Sequence, residues 1–161
     1  AKALPIVTFS TDVTFHFNGD TIHVIHMDPA HTDGDSLVHF EKANVVHSGD
    51  CFITTGYPIV DLESGGHYPG FIAVADRLLK MGDDKLQIIP GHGAVSDKAA
   101  VKTWRDMLVL LRDRVQKAIT AKQTLEQVIA AKPSAEFDAK LGGGYIKPDL
   151  LVETIYRSLA R

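Results

Sequence analysis

Cysteine is nearly absent. Cys51 stands alone among 161 residues, which excludes an internal disulfide and any cysteine-rich zinc ribbon and leaves the redox compartment undecided. Clustered positive charge is also missing: 17 Lys and Arg against 20 Asp and Glu, spread along the sequence for a net charge of -3, give no basic stripe for nucleic acid. No apolar run approaches the roughly 20 residues of a membrane span, so neither nucleic acid nor membrane is an expected partner. Gly142-Gly143-Gly144 does not open a helix as a phosphate-cradling loop does, so it carries no nucleotide reading. The chain starts at Ala1-Lys2 without Met and without a charged-then-apolar leader. The expectation is a removed leader or a longer parent, and the localisation stays open. With 45% hydrophobic residues, the chain supports one ordinary core and a single domain over 1–161, with small-molecule chemistry as the leading function class.

Val13 to Met27 has strand periodicity, interrupted by Asn18-Gly19-Asp20, a strong hairpin signal. Ser36 to Phe40 and Asn44 to His47 repeat the pattern around Glu41-Lys42-Ala43, so the first third reads as antiparallel sheet. A loop from Thr54 to Gly70 leads to helical spacing over Phe71 to Met81, with Gly82 as C-cap. A short buried strand follows at Leu86 to Ile89. A long helix then runs from an N-cap at Ser96 to about Ala121, with Val101, Trp104, Met107, Leu108, Leu111 and Val115 as its core stripe. Thr124 with Gln127 forms a capping box, Pro148 to Leu159 reads as a terminal helix, and the three glycines are the loop between them.

Three turns carry the chemistry. Ala30-His31-Thr32-Asp33-Gly34-Asp35, His47-Ser48-Gly49-Asp50 and Pro90-Gly91-His92-Gly93 each follow a strand-like run and present a side chain able to ligate a metal. Imidazole nitrogen and carboxylate oxygen are the ligands of catalytic zinc, which acidifies a bound water from pKa 15.7 to about 7. Strand ends bring residues distant in sequence to one crevice. His31, Asp50 and His92 are therefore the candidate metal ligands, and such a set of two nitrogens and one oxygen admits Zn, Fe or Mn.

His-Thr-x-Gly-Asp, Ser-Gly-Asp and Pro-Gly-His-Gly, in this order and each after a strand, resemble the second half of the metallo-β-lactamase-fold hydrolases over nearly the whole chain. The resemblance implies an α/β (α+β) chain forming half of an αββα sandwich, mostly antiparallel sheet followed by helices. It implies two zinc ions, with His31 completing the first site, His92 belonging to the second, and Asp50 bridging them as the catalytic residue that holds the hydroxide-bearing pair together. The His-x-His-x-Asp-His motif that supplies most other ligands has no match; His23-Val24-Ile25-His26 has the wrong spacing. Aspartate at the bridging position resembles the glyoxalase II and lactonase branches, which implies ester, lactone, thioester or amide hydrolysis. Cys51, next to Asp50, points to the opposite face and reads as a small core hydrophobe.

Thr32, Asp33 and Asp35 could act behind His31, the two carboxylates by orienting its ring, although Asp in a Gly-containing turn is also plain turn chemistry. Tyr57 and His67 lie on the long loop and could contact substrate or simply be solvated. The other histidines, 16, 23, 26, 39 and 47, read as sheet residues. Three ligands over two metal positions leave each ion under-coordinated, so the chain alone should bind zinc weakly. Its expected partner is the missing N-terminal half or a second copy of itself. The alternative is a non-catalytic half-fold serving as a binding or structural module.

Overall fold

A computed structural model of the protein describes residues 3–160. Strands β1 (Asp12–Phe17) and β2 (Asp20–His26) form the expected hairpin. Asn18 and Gly19 both have positive φ, 52° and 74°, the left-handed pair that a two-residue turn matching strand twist requires. β3 (Ser36–Phe40) and β4 (Val45–His47) extend the sheet antiparallel, and β5 (Gln87–Ile89) adds to β4 in parallel, giving the order β1-β2-β3-β4-β5. A parallel neighbour needs a crossover, and α1 (Tyr68–Lys80) lies in the connection between β4 and β5. The sheet is therefore mixed.

Helices α1, α2 (Lys98–Thr120), α3 (Leu125–Ala130), α4 (Ala135–Leu141) and α5 (Pro148–Leu159) complete the fold. Leu37, Val46 and Ile88 point to one face of the sheet, are fully buried, and share one core with Phe71, Leu78, Leu108, Leu111, Leu151 and Ile155. All six residues of the α2 stripe read from sequence are buried. Trp104 packs edge-on against Phe52 and Phe71, with ring centroids 5.1 and 5.8 Å apart, a geometry aromatic quadrupoles favour. Among the described residues no helix is long and apolar enough to cross a membrane.

Several boundaries differ from the sequence reading. α1 starts at Tyr68 rather than Phe71, because Pro69 is tolerated in a first helical turn and Tyr68 is anchored there, its N–H donating to Ser158 Oγ and its hydroxyl to the Leu108 carbonyl. The helix stops at Met81, with Gly82 following at φ 53°. The N-cap of α2 is Asp97, whose carboxylate accepts from the Ala100 N–H at 2.8 Å, and Ser96 instead pairs with Ile88 as an isolated bridge. α4 lies in the stretch between the Thr124 helix and the three glycines, to which the sequence reading assigns no element. Its contact with the core is confined to Phe137 and Leu141, both only partly buried, a stripe too short to mark a helix.

Candidate functional site

The rim of the sheet gathers the three turns. Asp50 lies in a single 3-10 turn, Gly49–Cys51, immediately beyond β4, and His92 lies three residues beyond the end of β5. Pairing of β4 with β5 therefore sets them side by side. Buried Ser48 reinforces this: its N–H donates to the Ile89 carbonyl at 2.9 Å and its hydroxyl reaches the carbonyls of Gly49 and Ile89. The Gly91 N–H donates to the carbonyls of Gly49 and Phe52, at 2.8 and 3.1 Å. The two turns pack so closely that a Cβ on Gly91 would strike the Asp50 carboxylate and come within 2.7 Å of the Gly49 backbone. Glycine is required at 91 by space rather than by conformation.

His31 reaches the same point from the β2–β3 connection. Its Nδ1 lies 2.7 Å from the Ile59 carbonyl. A carbonyl only accepts, so Nδ1 is the protonated nitrogen, and in the neutral ring Nε2 presents its lone pair. That Nε2 faces Asp50 Oδ2 at 3.7 Å, and His92 Nε2 faces Asp50 Oδ1 at 3.3 Å. Each carboxylate oxygen thus has its own histidine. The carboxylate accepts no hydrogen bond from the described residues, and all three side chains keep solvent access, 24% for His31, 29% for Asp50 and 59% for His92. Two ligands about 2.0–2.1 Å from a common tetrahedral ion stand roughly 3.3 Å apart; the donor types suit an ion, the His92–Asp50 separation matches this spacing, and the His31–Asp50 separation is 0.4 Å wider. The set is incomplete by itself: among the described residues no group of three or more His, Cys, Asp or Glu side chains encloses a single point.

The residues around this group divide sharply. Asp35 does not orient the His31 ring. Its carboxylate accepts from the backbone N–H of His31 at 2.7 Å, and from the N–H and hydroxyl of Thr32 at 3.2 and 2.9 Å, so it shapes the turn that carries His31, with Thr32 as its partner. Asp33 is exposed, and its backbone pairs with Ser64 and His26; it does not hold the ring either. The ring is held by Ile59, through a main-chain carbonyl that no side-chain pattern could reveal. The His31 carbonyl accepts from the Asp61 N–H at 2.9 Å. Asp61 is a second contributor with no prior signal, its carboxylate held below the usual range by hydrogen bonds from Ser64 and then Glu63.

Tyr57 is a core tether and not a substrate contact: it is 1% exposed, and its hydroxyl donates to Asp138 at 2.6 Å. Burial and then the Asp138 carboxylate push its pKa up. His67 caps α1 and donates its backbone N–H to Ala30 at 2.9 Å. Its side chain lines a cleft with Asp28, Pro29 and Ala73, apart from the His31–Asp50–His92 group. Cys51 is 1% exposed, buried as expected although it lies in the 3-10 turn and not in an extended segment, and its thiol is pushed far up, first by burial and then by the neighbouring Asp35 carboxylate. It is chemically quiet.

No protein-family model matches the sequence, and no curated protein matches it. Solved structures match the fold. The stereoselective inverting sec-alkylsulfatase Pisa1 from Pseudomonas sp. aligns with a TM-score of 0.72 at 15% identity, over 94% of this chain and 26% of its own. A metallo-β-lactamase family protein from Thermus thermophilus gives 0.63 at 16% identity, over 95% of this chain and 48% of its own. A metallo-β-lactamase from Pontibacter korlensis gives 0.55 at 20% identity, over 65% and 48%. The chain carries the metallo-β-lactamase fold in part, spanning between about a quarter and a half of the length of these structures.

Proposed function

We propose that this part of a metallo-β-lactamase fold is the ligand-bearing second half of a divalent-metal-dependent hydrolase, with zinc as the ion and a complementary half needed for turnover. The observation that carries the reading is the Asp50 carboxylate, one oxygen facing His31 Nε2 at 3.7 Å and the other facing His92 Nε2 at 3.3 Å. A carboxylate so divided suits a position shared between two ions better than a single enclosed one. His31 would hold one ion, His92 the other, and Asp50 both. A bound divalent ion supplies acidified water and a Lewis acid for the oxygen of a substrate ester or amide.

The chain's own residues supply positioning. The Ile59 carbonyl fixes the His31 tautomer, which leaves Nε2 free to ligate. Asp35 and Thr32 fix the turn beneath it. Ser48 and Gly91 hold Asp50 and His92 at the adjoining strand ends. The proposed substrate is a small molecule with an ester, lactone, thioester or amide bond; the alkylsulfatase likeness adds sulfate esters to the panel worth assaying. The decisive measurement is zinc stoichiometry by equilibrium dialysis for the wild type and Asp50→Asn. The wild type should take up zinc weakly and turn over negligibly alone, and Asp50→Asn should weaken uptake at least tenfold. An Asp50→Asn chain with wild-type zinc content overturns the assignment.

A further inference from the structure

The two histidines of the site are held by different means. The His31 ring is fixed through its own Nδ1 by the Ile59 carbonyl. The His92 ring has no such brace: among the described residues its polar partner is Asp50 alone, and the side chain is 59% exposed. Its placement is therefore set by the main chain that carries it, and Thr54 holds that main chain. The Thr54 N–H donates to the His92 carbonyl at 3.0 Å, and the Thr54 hydroxyl donates to the same oxygen at 3.4 Å. Gly93, the next residue, allows this approach. It has φ 109°, which side chains rarely adopt, and a Cβ there would strike the Thr54 hydroxyl and come within 3.2 Å of the Thr55 methyl. The His92–Gly93 peptide thus lies directly against Thr54.

We infer, resting on the reading of His31, Asp50 and His92 as metal ligands, that Thr54 is the positioning residue of His92, doing for that histidine through its peptide what Ile59 does for His31 through its ring. Thr54 follows Asp50 by four positions, past Cys51, Phe52 and Ile53, all buried. The segment that carries Asp50 is therefore anchored in the core and also carries the group that holds His92. On the other side of His92, the Gly91 N–H donates to the carbonyls of Gly49 and Phe52. The chain is thus pinned to the Gly49–Thr54 segment both before and after His92. The direction in which the imidazole leaves the backbone follows from those two attachments, and with it the approach of Nε2 to Asp50 Oδ1 at 3.3 Å. Two donors on one carbonyl use both of its lone pairs, so the hydroxyl adds orientation that the N–H alone does not supply. Thr54 is itself exposed. Its side chain fills no core space, which separates its effect on the site from any effect on packing.

Zinc dialysis read beside urea unfolding tests this. Thr54→Val keeps the shape of the side chain and removes the donor; Thr54→Ser keeps the donor and removes the methyl. Thr54→Val should raise the zinc dissociation constant about tenfold, as changes behind a metal ligand do, with its urea midpoint nearly unchanged. Thr54→Ser should restore wild-type zinc binding, and Thr54→Ala covers the case in which Thr54→Val fails to fold. In the metal-free chain, Thr54→Val should move the ring resonances of His92 and leave those of His31 in place. Loss of zinc binding in step with loss of stability, a Thr54→Ser chain as weak as Thr54→Val, or both histidines moving alike each overturns the inference. Zinc uptake that depends on Asp50 but not on Thr54 overturns this inference alone; a wild type that takes up no zinc overturns the metal reading and this inference with it.

Discussion

Gly91→Ala is the smallest change that bears on the whole arrangement. The new methyl would meet the Asp50 carboxylate and, at 2.7 and 2.8 Å, the carbonyl carbon and oxygen of Gly49. Carboxylate rotation relieves only part of the first contact, and the second is with backbone already bonded to the Gly91 N–H, so the turns must part by several tenths of an ångström. Overpacking of this kind costs about 1–3 kcal/mol, a fall of roughly 3–9 °C in melting temperature for a chain of this size. Parting the turns also pulls Asp50 from His92, and disturbances behind a ligand typically weaken metal binding about 10- to 100-fold. Urea unfolding and zinc dialysis measure both effects. A double-mutant cycle separates them: with Asp50→Ala the carboxylate contact is gone, so adding Gly91→Ala should cost less than in the wild type, leaving only the Gly49 part. Additive costs, or a Gly91→Ala chain with wild-type stability and zinc uptake, would refute the close approach of the two turns.

Two further expectations are independent of that contact. Tyr57→Phe removes a hydroxyl that donates to Asp138 at 2.6 Å, and hydrogen bonds to charged groups contribute about 1.5–3 kcal/mol; chemical denaturation should show a loss near the lower figure while zinc uptake stays unchanged, and a loss of zinc with no loss of stability would restore Tyr57 to the site. His39 is half-buried with Nε2 making no hydrogen bond, and its pKa is held below 6.5, first by burial and then by His23, against weaker opposite pulls from Glu41 and Asp20, with Arg77 and Lys80 lining the same cleft. The unfolded chain therefore takes up that proton at higher pH than the folded one, so the contribution is complete above about pH 6.5 and is lost as pH falls through the folded pKa. Urea midpoints should drop between pH 7.5 and 5.5, and less so in His39→Gln; equal slopes for the two chains would contradict this.

Elements with a local signature were legible in the sequence: the Asn18-Gly19 hairpin, the α2 stripe and the Thr124–Gln127 capping box all stand where turn chemistry and periodicity set them. α4 was not, because seven residues with two partly buried apolar side chains, Phe137 and Leu141, give too short a stripe to mark a helix. The site divides in the same way. His31, Asp50 and His92 could be picked out as side chains at turns, but their supports are mostly main-chain groups: the Ile59 carbonyl on the His31 ring, the Asp61 N–H on the His31 carbonyl and the Ile89 carbonyl under Ser48. Every residue carries those groups, so composition says nothing about which ones will be used. Tyr57 shows the converse, a loop aromatic read as either a substrate contact or a solvated side chain whose hydroxyl is instead tethered by Asp138, 81 residues away.

Alternation along β1 and β2 marked Val13, Phe15, Phe17, Ile22 and Val24 as one side of a hairpin, yet a period of two cannot say which side faces the helices. The register decides it. His23 and His39 fall on the helical side and the valine and phenylalanine rows on the open one, so the more apolar face of the outer strands is the one left uncovered. Helices α1, α2 and α5 share a core with Leu37, Val46 and Ile88 on the opposite face, so among the described residues no element buries the more apolar one. The hydrophobic pattern of β1–β4 is thus written for a second layer beyond the helices described here, and the same strand ends that carry Asp50 and His92 form the edge of the surface on which that layer must sit.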